Sequence, residues 1–266
     1  MLSNVTYVEA KVFLGTLALT QPRTLAMCLM LPIFNRQLLP GMLRYGMAAA
    51  MGLILVPMLA PAYAAAEFGA LDLMLLIVKE VFIGLVMGFM VAIPFWVFES
   101  VGFVVDNQRG ASLGAVINPA TGNDSSPMGI LFNQAFMVFF LVGGGFTLML
   151  TMLYDSFRLW DMLAWTPTLR QESIPLMLDQ MSRYARLFLL FAAPAIVAMF
   201  LAELGLALVS RFAPQLQVFF LALPIKSALA LLVLALYMSP LFEYARELTA
   251  GIDVIVPSLD NQWRAP

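Results

Sequence analysis

Few side chains in this 266-residue chain have the capacity for chemistry, and their types exclude most of it. There is no histidine, and Cys28 is the single cysteine, so a disulfide framework and a Cys/His zinc site are both ruled out. Five charges stand inside otherwise apolar stretches: Arg23, Lys79, Glu80, Glu203 and Lys226. A charge at membrane depth is costly, so it faces protein, water or an opposite charge. If the last two apolar segments form a hairpin turning near Ala213-Pro214, Glu203 and Lys226 lie at depths of about 16 and 18 Å at 1.5 Å per residue. That register predicts a buried ion pair. A proton- or ion-relay role is the sharper alternative, and one such pair without histidine or further acids gives it little support.

The other concentration of polar groups is the stretch from Glu99 to Pro127, long, polar at both ends and glycine-rich with small residues in its middle. Structured loops of this length are usually functional. Asn118-Pro119 and Thr121-Gly122-Asn123 are turn chemistry. No Gly-Lys-Ser/Thr follows the glycines, so it is not a phosphate loop, and Gly110 and Gly114 lack the strand-to-helix setting of a dinucleotide site. A serine nucleophile has no histidine or convincing lysine base. The chain reads as a non-enzyme needing no cofactor and no metal.

The elements that position these groups follow from composition. Hydrophobic residues make up 62% of the chain and charged residues 11%. A soluble domain is about 45–50% apolar even with glycine counted. Surface-to-volume scaling leaves no way to hide such an excess in water. The solvent must be lipid, apolar subunits or both. A net charge of −2 gives no basic footprint for nucleic acid. About 20 apolar residues cross a hydrocarbon core of roughly 30 Å. The uncharged runs predict six helices, at about 10–32, 38–62, 72–98, 128–154, 184–210 and 216–240. Six spans put both termini on one side, and the lysines and arginines in the connections lean towards cytoplasmic termini. The expected architecture is an all-α membrane protein of hairpins with a long loop between the third and fourth helices. It is expected as one domain over 1–245, with a polar tail over 246–266.

Proline recurs inside or at the ends of these segments, at Pro22, Pro57, Pro94, Pro194, Pro224 and Pro240, with Pro214 at the last turn. Each removes a backbone hydrogen bond and favours a kink. Gly84 and Gly88 form a GxxxG step that admits a second helix closely. Gly143-Gly144-Gly145 weakens the fourth helix, marking a tight crossing or a flexible point.

The chain becomes recognisable at Phe95-Trp96, Gly102, Val105-Asp106-Asn107-Gln108-Arg109-Gly110, Asn118-Pro119 and Ser126-Pro127-Met128-Gly129. It continues through Gly143-Gly144-Gly145, Leu153-Tyr154-Asp155-Ser156-Phe157, Ala202-Glu203-Leu204-Gly205, Ala213-Pro214-Gln215-Leu216-Gln217-Val218-Phe219 and Leu223-Pro224-Ile225-Lys226-Ser227. These blocks resemble the SctT family of type III secretion export-apparatus proteins, with flagellar FliR proteins as more distant relatives. The resemblance covers about residues 10–245.

It implies a core subunit of the export gate in the bacterial inner membrane. One such chain would join five SctR-like and four SctS-like subunits, beside SctU-like and SctV-like components. Unfolded secreted proteins would pass through the central channel. Asp106, Asn107, Gln108, Arg109, Gly110, Ala111, Ser112, Leu113, Gly114, Asn118 and Pro119 would belong to the loop that plugs the closed channel. The prolines, the glycine steps and the Glu203–Lys226 pair would serve curvature and subunit contacts. The alternative is a six-span ion-coupled transporter of small solutes, which would carry an inverted repeat. None is evident between 1–130 and 131–266.

Overall fold

The uncharged runs become helices, and the helices run further than hydropathy alone suggests. The computed structural model describes residues 2–35, 38–66, 68–111, 126–165, 173–213, 215 and 218–254. Among them are α1 (Leu2–Met30), α2 (Gly41–Ala64), α3 (Ala70–Arg109), α4 (Pro127–Val142), α5 (Gly145–Leu159), α6 (Ser173–Phe212) and α7 (Val218–Ala250), with short 3-10 turns at Pro32–Phe34 and Gly251–Val254. The described residues contain no strand. Five of the helices are long and apolar enough to cross a membrane, and α4 with α5 would make a sixth span if counted as one. The chain is an integral membrane protein.

Three expectations change. Residues 99–109 continue α3 as helix, so the connection to α4 begins at Gly110 and not at Glu99. The fourth segment is two helices: Gly143 closes α4, and Gly144, with φ +80°, opens α5 in a left-handed conformation that suits glycine. The prolines end none of these helices, although each still removes one ladder hydrogen bond. α1 runs through Pro22, α2 through Pro57 and Pro61, α3 through Pro94, α6 through Pro194, and α7 through Pro224 and Pro240. Helix α7 and the turn after it carry regular structure through Val254.

The chain divides into two compact units. The first comprises the described residues up to Ala92, those from Gly144 to Met177, and those from Ala250 onward. Its core is built from helical stripes. On α2 the buried positions Arg44, Ala48, Met51, Leu55 and Leu59 recur every three or four residues. On α5 they are Met149, Met152, Leu153, Ser156 and Phe157. The GxxxG step of α3 lies on α1: a Cβ on Gly84 would strike the backbone carbonyl of Arg23, and one on Gly88 would stand 2.8 Å from Met30 Cβ and 2.9 Å from the Met27 carbonyl. These glycines fix the register of α1 on α3.

The second unit comprises residues 93–143 and 178–249. Aromatic rings fill its centre. Phe95 meets Phe136 edge-on at 4.8 Å, Phe98 stacks on Phe136 at 4.6 Å, and Phe191 lies 6.1 Å from Phe98 and 5.4 Å from Tyr244. Offset and edge-on ring pairs add specificity to the area they bury. Gly102 lets α3 touch the start of α4, where any Cβ would collide with the backbone of Met128 and Gly129.

Candidate functional site

Two polar constructions stand out from this apolar background. The first closes the base of the 99–127 stretch. Helix α3 ends as Gly110 turns to φ +82°, with Gly110 N–H donating to the Asn107 carbonyl (3.1 Å) and Ala111 N–H to the Asp106 carbonyl (2.9 Å). This is the paired closure that a glycine just past a helix end permits. Helix α4 begins with Ser126 as its cap, Oγ accepting from Gly129 N–H at 2.9 Å, and with Pro127 in the first turn where its missing N–H does no harm.

Asp106 ties these two ends together. Its Oδ2 accepts from Ser126 Oγ (2.6 Å) and Met128 N–H (2.9 Å), and its Oδ1 from Arg109 Nε (2.7 Å) and Nη2 (2.6 Å). Four donors occupy the carboxylate, and the side chain is buried. It therefore acts as a clasp, with no lone pair left for proton transfer to a substrate. Nearby, Glu99 accepts from Asn133 (2.8 Å) and the Ser100 and Tyr184 hydroxyls meet at 2.6 Å, which fixes α3 against α4 and α6.

The second construction lies in the first unit. Arg23 of α1 is fully buried, and its Nε and Nη2 fork onto the two oxygens of Glu80 on α3 at 2.7 and 2.9 Å. Its Nη1 donates to Ser156 Oγ (3.2 Å), Nη2 also to the Trp160 carbonyl (3.0 Å), and the guanidinium lies 3.9 Å from the centre of the Phe157 ring. Lys79 Nζ sits 2.9 Å from Glu80 Oε1 and donates to the carbonyls of Asp161, Met162 and Ala164 at 2.8–2.9 Å. Two cations thus share one carboxylate, and both also grip the backbone that follows α5. A bidentate arginine–carboxylate pair is among the strongest polar contacts available to a buried site.

The expected site residues are placed as follows. Asp106, Asn107, Gln108 and Arg109 form the last turn of α3, and Gly110 and Ala111 follow it. They are thus the helical end of the loop, and Asp106 and Arg109 are committed to each other. Ser112, Leu113, Gly114, Asn118, Pro119 and Pro214 lie outside the described residues. Lys226 Nζ stands 3.3 Å from Glu203 Oε2, but the pair is unequal: the lysine side chain is 11% exposed and the glutamate 52%. Glu203 is half-exposed, not buried, because α6 turns that position outward.

The Arg23–Glu80–Lys79 cluster was available as three of the five embedded charges but not as a partnership. Its signal was the position of Lys79-Glu80 one turn before Gly84, the residue that seats α3 on α1 beside Arg23. No group of three or more metal-ligating side chains gathers among the described residues.

Comparison with known proteins covers nearly the whole chain. Residues 14–252 match the family described as Bacterial export proteins, family 1. The chain is 40% identical over 251 residues to Yop proteins translocation protein T of Yersinia pestis, covering 92% of this chain and 96% of that protein. It is 38% identical over 166 residues to the surface presentation of antigens protein SpaR of Salmonella typhimurium, covering 62% of this chain and 61% of that one. With the flagellar biosynthetic protein FliR of Bacillus subtilis it shares 31% over 175 residues, 65% of this chain and 67% of the relative. A match running from the middle of α1 to the turn after α7 takes in the clasp, the buried charge cluster and every helix between them, and by it this chain belongs to the bacterial export proteins, family 1.

Proposed function

We propose that this chain is the export-gate subunit of a type III secretion system, set in the bacterial inner membrane. It joins SctR-like and SctS-like subunits, one copy to five and four, beside SctU-like and SctV-like components, to form the channel for unfolded secreted proteins. The observation that carries this reading is the end-to-end similarity to a Yop translocation protein, 40% identical over 92% of this chain. It acts without catalysis and without a cofactor.

The geometry supports a division of labour within the gate. Asp106 holds residues 106–111 and 126–129 to each other, so the intervening residues leave and return at one fixed place. Loop ends pinned in this way let the segment between them change shape without disturbing the helices. Small residues at Ala111, Ser112, Gly114 and Ala115 suit a crowded channel axis, and glycine permits rearrangement when a chain enters. Gating is then a shift between a closed and an open packing of the same complex. The prolines and the glycine steps serve helix packing, and Glu203 with Lys226 serves subunit contact.

The experiment removes residues 110–115 from the chromosomal copy and measures both secretion and ion leak across the inner membrane. The gate reading expects assembly with the SctR-like and SctS-like subunits to survive and the leak to rise. A complex that assembles with an unchanged leak removes this loop from the plug. A chain that purifies as a stable, monodisperse solute transporter without those partners removes the gate reading altogether.

A further inference from the structure

The N-terminal hairpin holds a charge that no acid among the described residues balances. Between Lys11 and Glu67 the sequence carries Arg23, Arg36 and Arg44 and not one carboxylate. Arg23 reaches across to Glu80. Arg44 reaches no acid among the described residues, although it opens the buried stripe of α2 and is only 6% exposed. Its Nε has no hydrogen-bond partner. Among the described residues its guanidinium hydrogen-bonds Tyr45 alone, with Nη2 at 3.4 Å from the hydroxyl and the ring centre 5.1 Å away. A 3.4 Å contact is at the weak limit of a hydrogen bond. A buried cation in this state calls for an anion.

The same turn is the start of a 24-residue helix with no side-chain cap: Pro40 has no side-chain acceptor, and the first turn contains no acidic residue. The free N–H groups and the positive end of the helix dipole therefore lie at the place towards which a long side chain at the fourth helical position leans. Two independent sources of positive potential converge there. The connection from Met30 to Gly41 also joins two helices long and apolar enough to cross a membrane, so it lies where spans end. Leu38, Met42, Leu43 and Tyr45 around it are exposed. Apolar and aromatic side chains beside arginine are the composition of a membrane–water boundary.

We propose that the start of α2 binds the phosphate of an anionic phospholipid headgroup, with the Arg44 guanidinium and the first-turn N–H groups as donors and the apolar collar against the acyl chains. A free phosphate ion would use the donors and leave the collar idle. A carboxylate from another subunit would neutralise Arg44 but gives no reason for an uncapped helix start ringed by exposed apolar residues.

The test titrates the full-length protein with phosphatidylglycerol, phosphatidylcholine and inorganic phosphate separately, and reads bound lipid by native mass spectrometry. The wild type should retain phosphatidylglycerol in preference to phosphatidylcholine. Arg44→Gln should reduce that preference by about tenfold, the loss of one charge-assisted hydrogen bond, while Arg44→Lys keeps most of it. If Arg44→Gln fails to fold, the salt dependence of phosphatidylglycerol binding in the wild type and in Arg44→Lys carries the test, and insensitivity to salt overturns the proposal. Equal binding of the two lipids overturns it, as does an unchanged preference in a folded Arg44→Gln protein. Arg44-dependent capture of inorganic phosphate with no lipid preference reassigns the site to a soluble anion and overturns the lipid reading. A carboxylate of another subunit crosslinked to this turn in the assembled complex, with lipid excluded, overturns it too.

Discussion

Replacing Glu80 by glutamine separates a buried charge cluster that holds the first unit together from one that is merely tolerated. The carboxylate takes three charge-assisted contacts, from Arg23 at 2.7 and 2.9 Å and from Lys79 at 2.9 Å. Glutamine has nearly the same size and keeps one oxygen. Its amide nitrogen must then face a guanidinium or an ammonium, donor against donor. With its oxygen turned to Arg23 Nη2 and Lys79 Nζ it loses the Arg23 Nε contact, worth roughly 1.5–3 kcal/mol, and about half the strength of the other two, giving about 3–6 kcal/mol. Removing one partner of a buried pair typically costs about 3–5 kcal/mol. Lys79 keeps its three backbone carbonyls and Arg23 its Trp160 carbonyl, which hold the loss near the middle of that range. We expect about 4 kcal/mol, close to a thousandfold in the folded-to-unfolded ratio.

Equilibrium unfolding of the full-length protein in mixed micelles measures that loss. Amide exchange over residues 160–164 measures whether the backbone gripped by Arg23 and Lys79 comes loose with it. The cycle with Arg23→Met isolates the pair: the double variant should be more stable than the two single losses predict, by about 1–3 kcal/mol. A Glu80→Gln protein within about 1 kcal/mol of the wild type, with exchange over 160–164 unchanged, would show that carbonyls and ring faces suffice to hold the cations and that the ion pair does not organise the unit.

Asp106→Ala should cost about 1–2 kcal/mol, as for a lost helix cap, and should raise amide exchange at 126–129, read by mass spectrometry, before any other part of the second unit. Gly84→Val pushes two methyl groups into the backbone of α1, where even a Cβ would meet the Arg23 carbonyl. We expect a loss of 3 kcal/mol or more, beyond the ~1–3 kcal/mol of ordinary overpacking because backbone cannot rotate away, scored by unfolding in micelles. Glu203→Lys should change the stability of the isolated chain by less than about 1 kcal/mol, since the glutamate is half-exposed, whereas Lys226→Glu should cost more, because it sets a nearly buried carboxylate beside a like charge. Each should impair secretion, and the double reversal should restore it if Glu203 and Lys226 act as a pair with each other.

What was legible in the sequence depended on how local the cause was. Charge gaps of 14–30 residues located every helix but the first, because satisfying every backbone group leaves an apolar run little choice. Gly143-Gly144-Gly145 was legible as a weak point but not as a break, since glycine permits the φ +80° of Gly144 without requiring it. The end of α3 was misplaced by a full three turns for an equally definite reason. Glu99, Asp106 and Arg109 look like loop residues, yet Glu99 bonds Asn133 and Asp106 bonds both Arg109 and the start of α4. Polar residues that are paired within the fold read as solvent-facing until the partner is known. The Glu203–Lys226 contact was visible because one hairpin sets its register. The Arg23–Glu80 pair, 57 residues apart, needed the packing of α1 on α3 that Gly84 allows.

Two glutamates in apolar helices show how one residue type serves two different tasks. Glu80 is fully buried and held by three charged donors. It is a finished interaction, and any environment outside the protein is irrelevant to it. Glu203 has one contact at 3.3 Å and a half-exposed carboxylate, while Phe200, Leu201, Leu204 and Leu208 stand exposed around it. Lipid tails could cover those four side chains but not the carboxylate, since placing a charge at the centre of a bilayer costs about 2.5–3.5 kcal/mol even by the mildest scale. The outward face of α6 around Glu203 therefore meets water or protein. The most apolar stretch of α6 is 22% buried and that of α7 the same, against 67% for α3. An apolar surface left so open, and carrying a carboxylate that lipid would reject, is what the proposed gate assembly would cover with its other subunits. For such a chain a high apolar content measures the surface reserved for partners as much as the depth of the membrane.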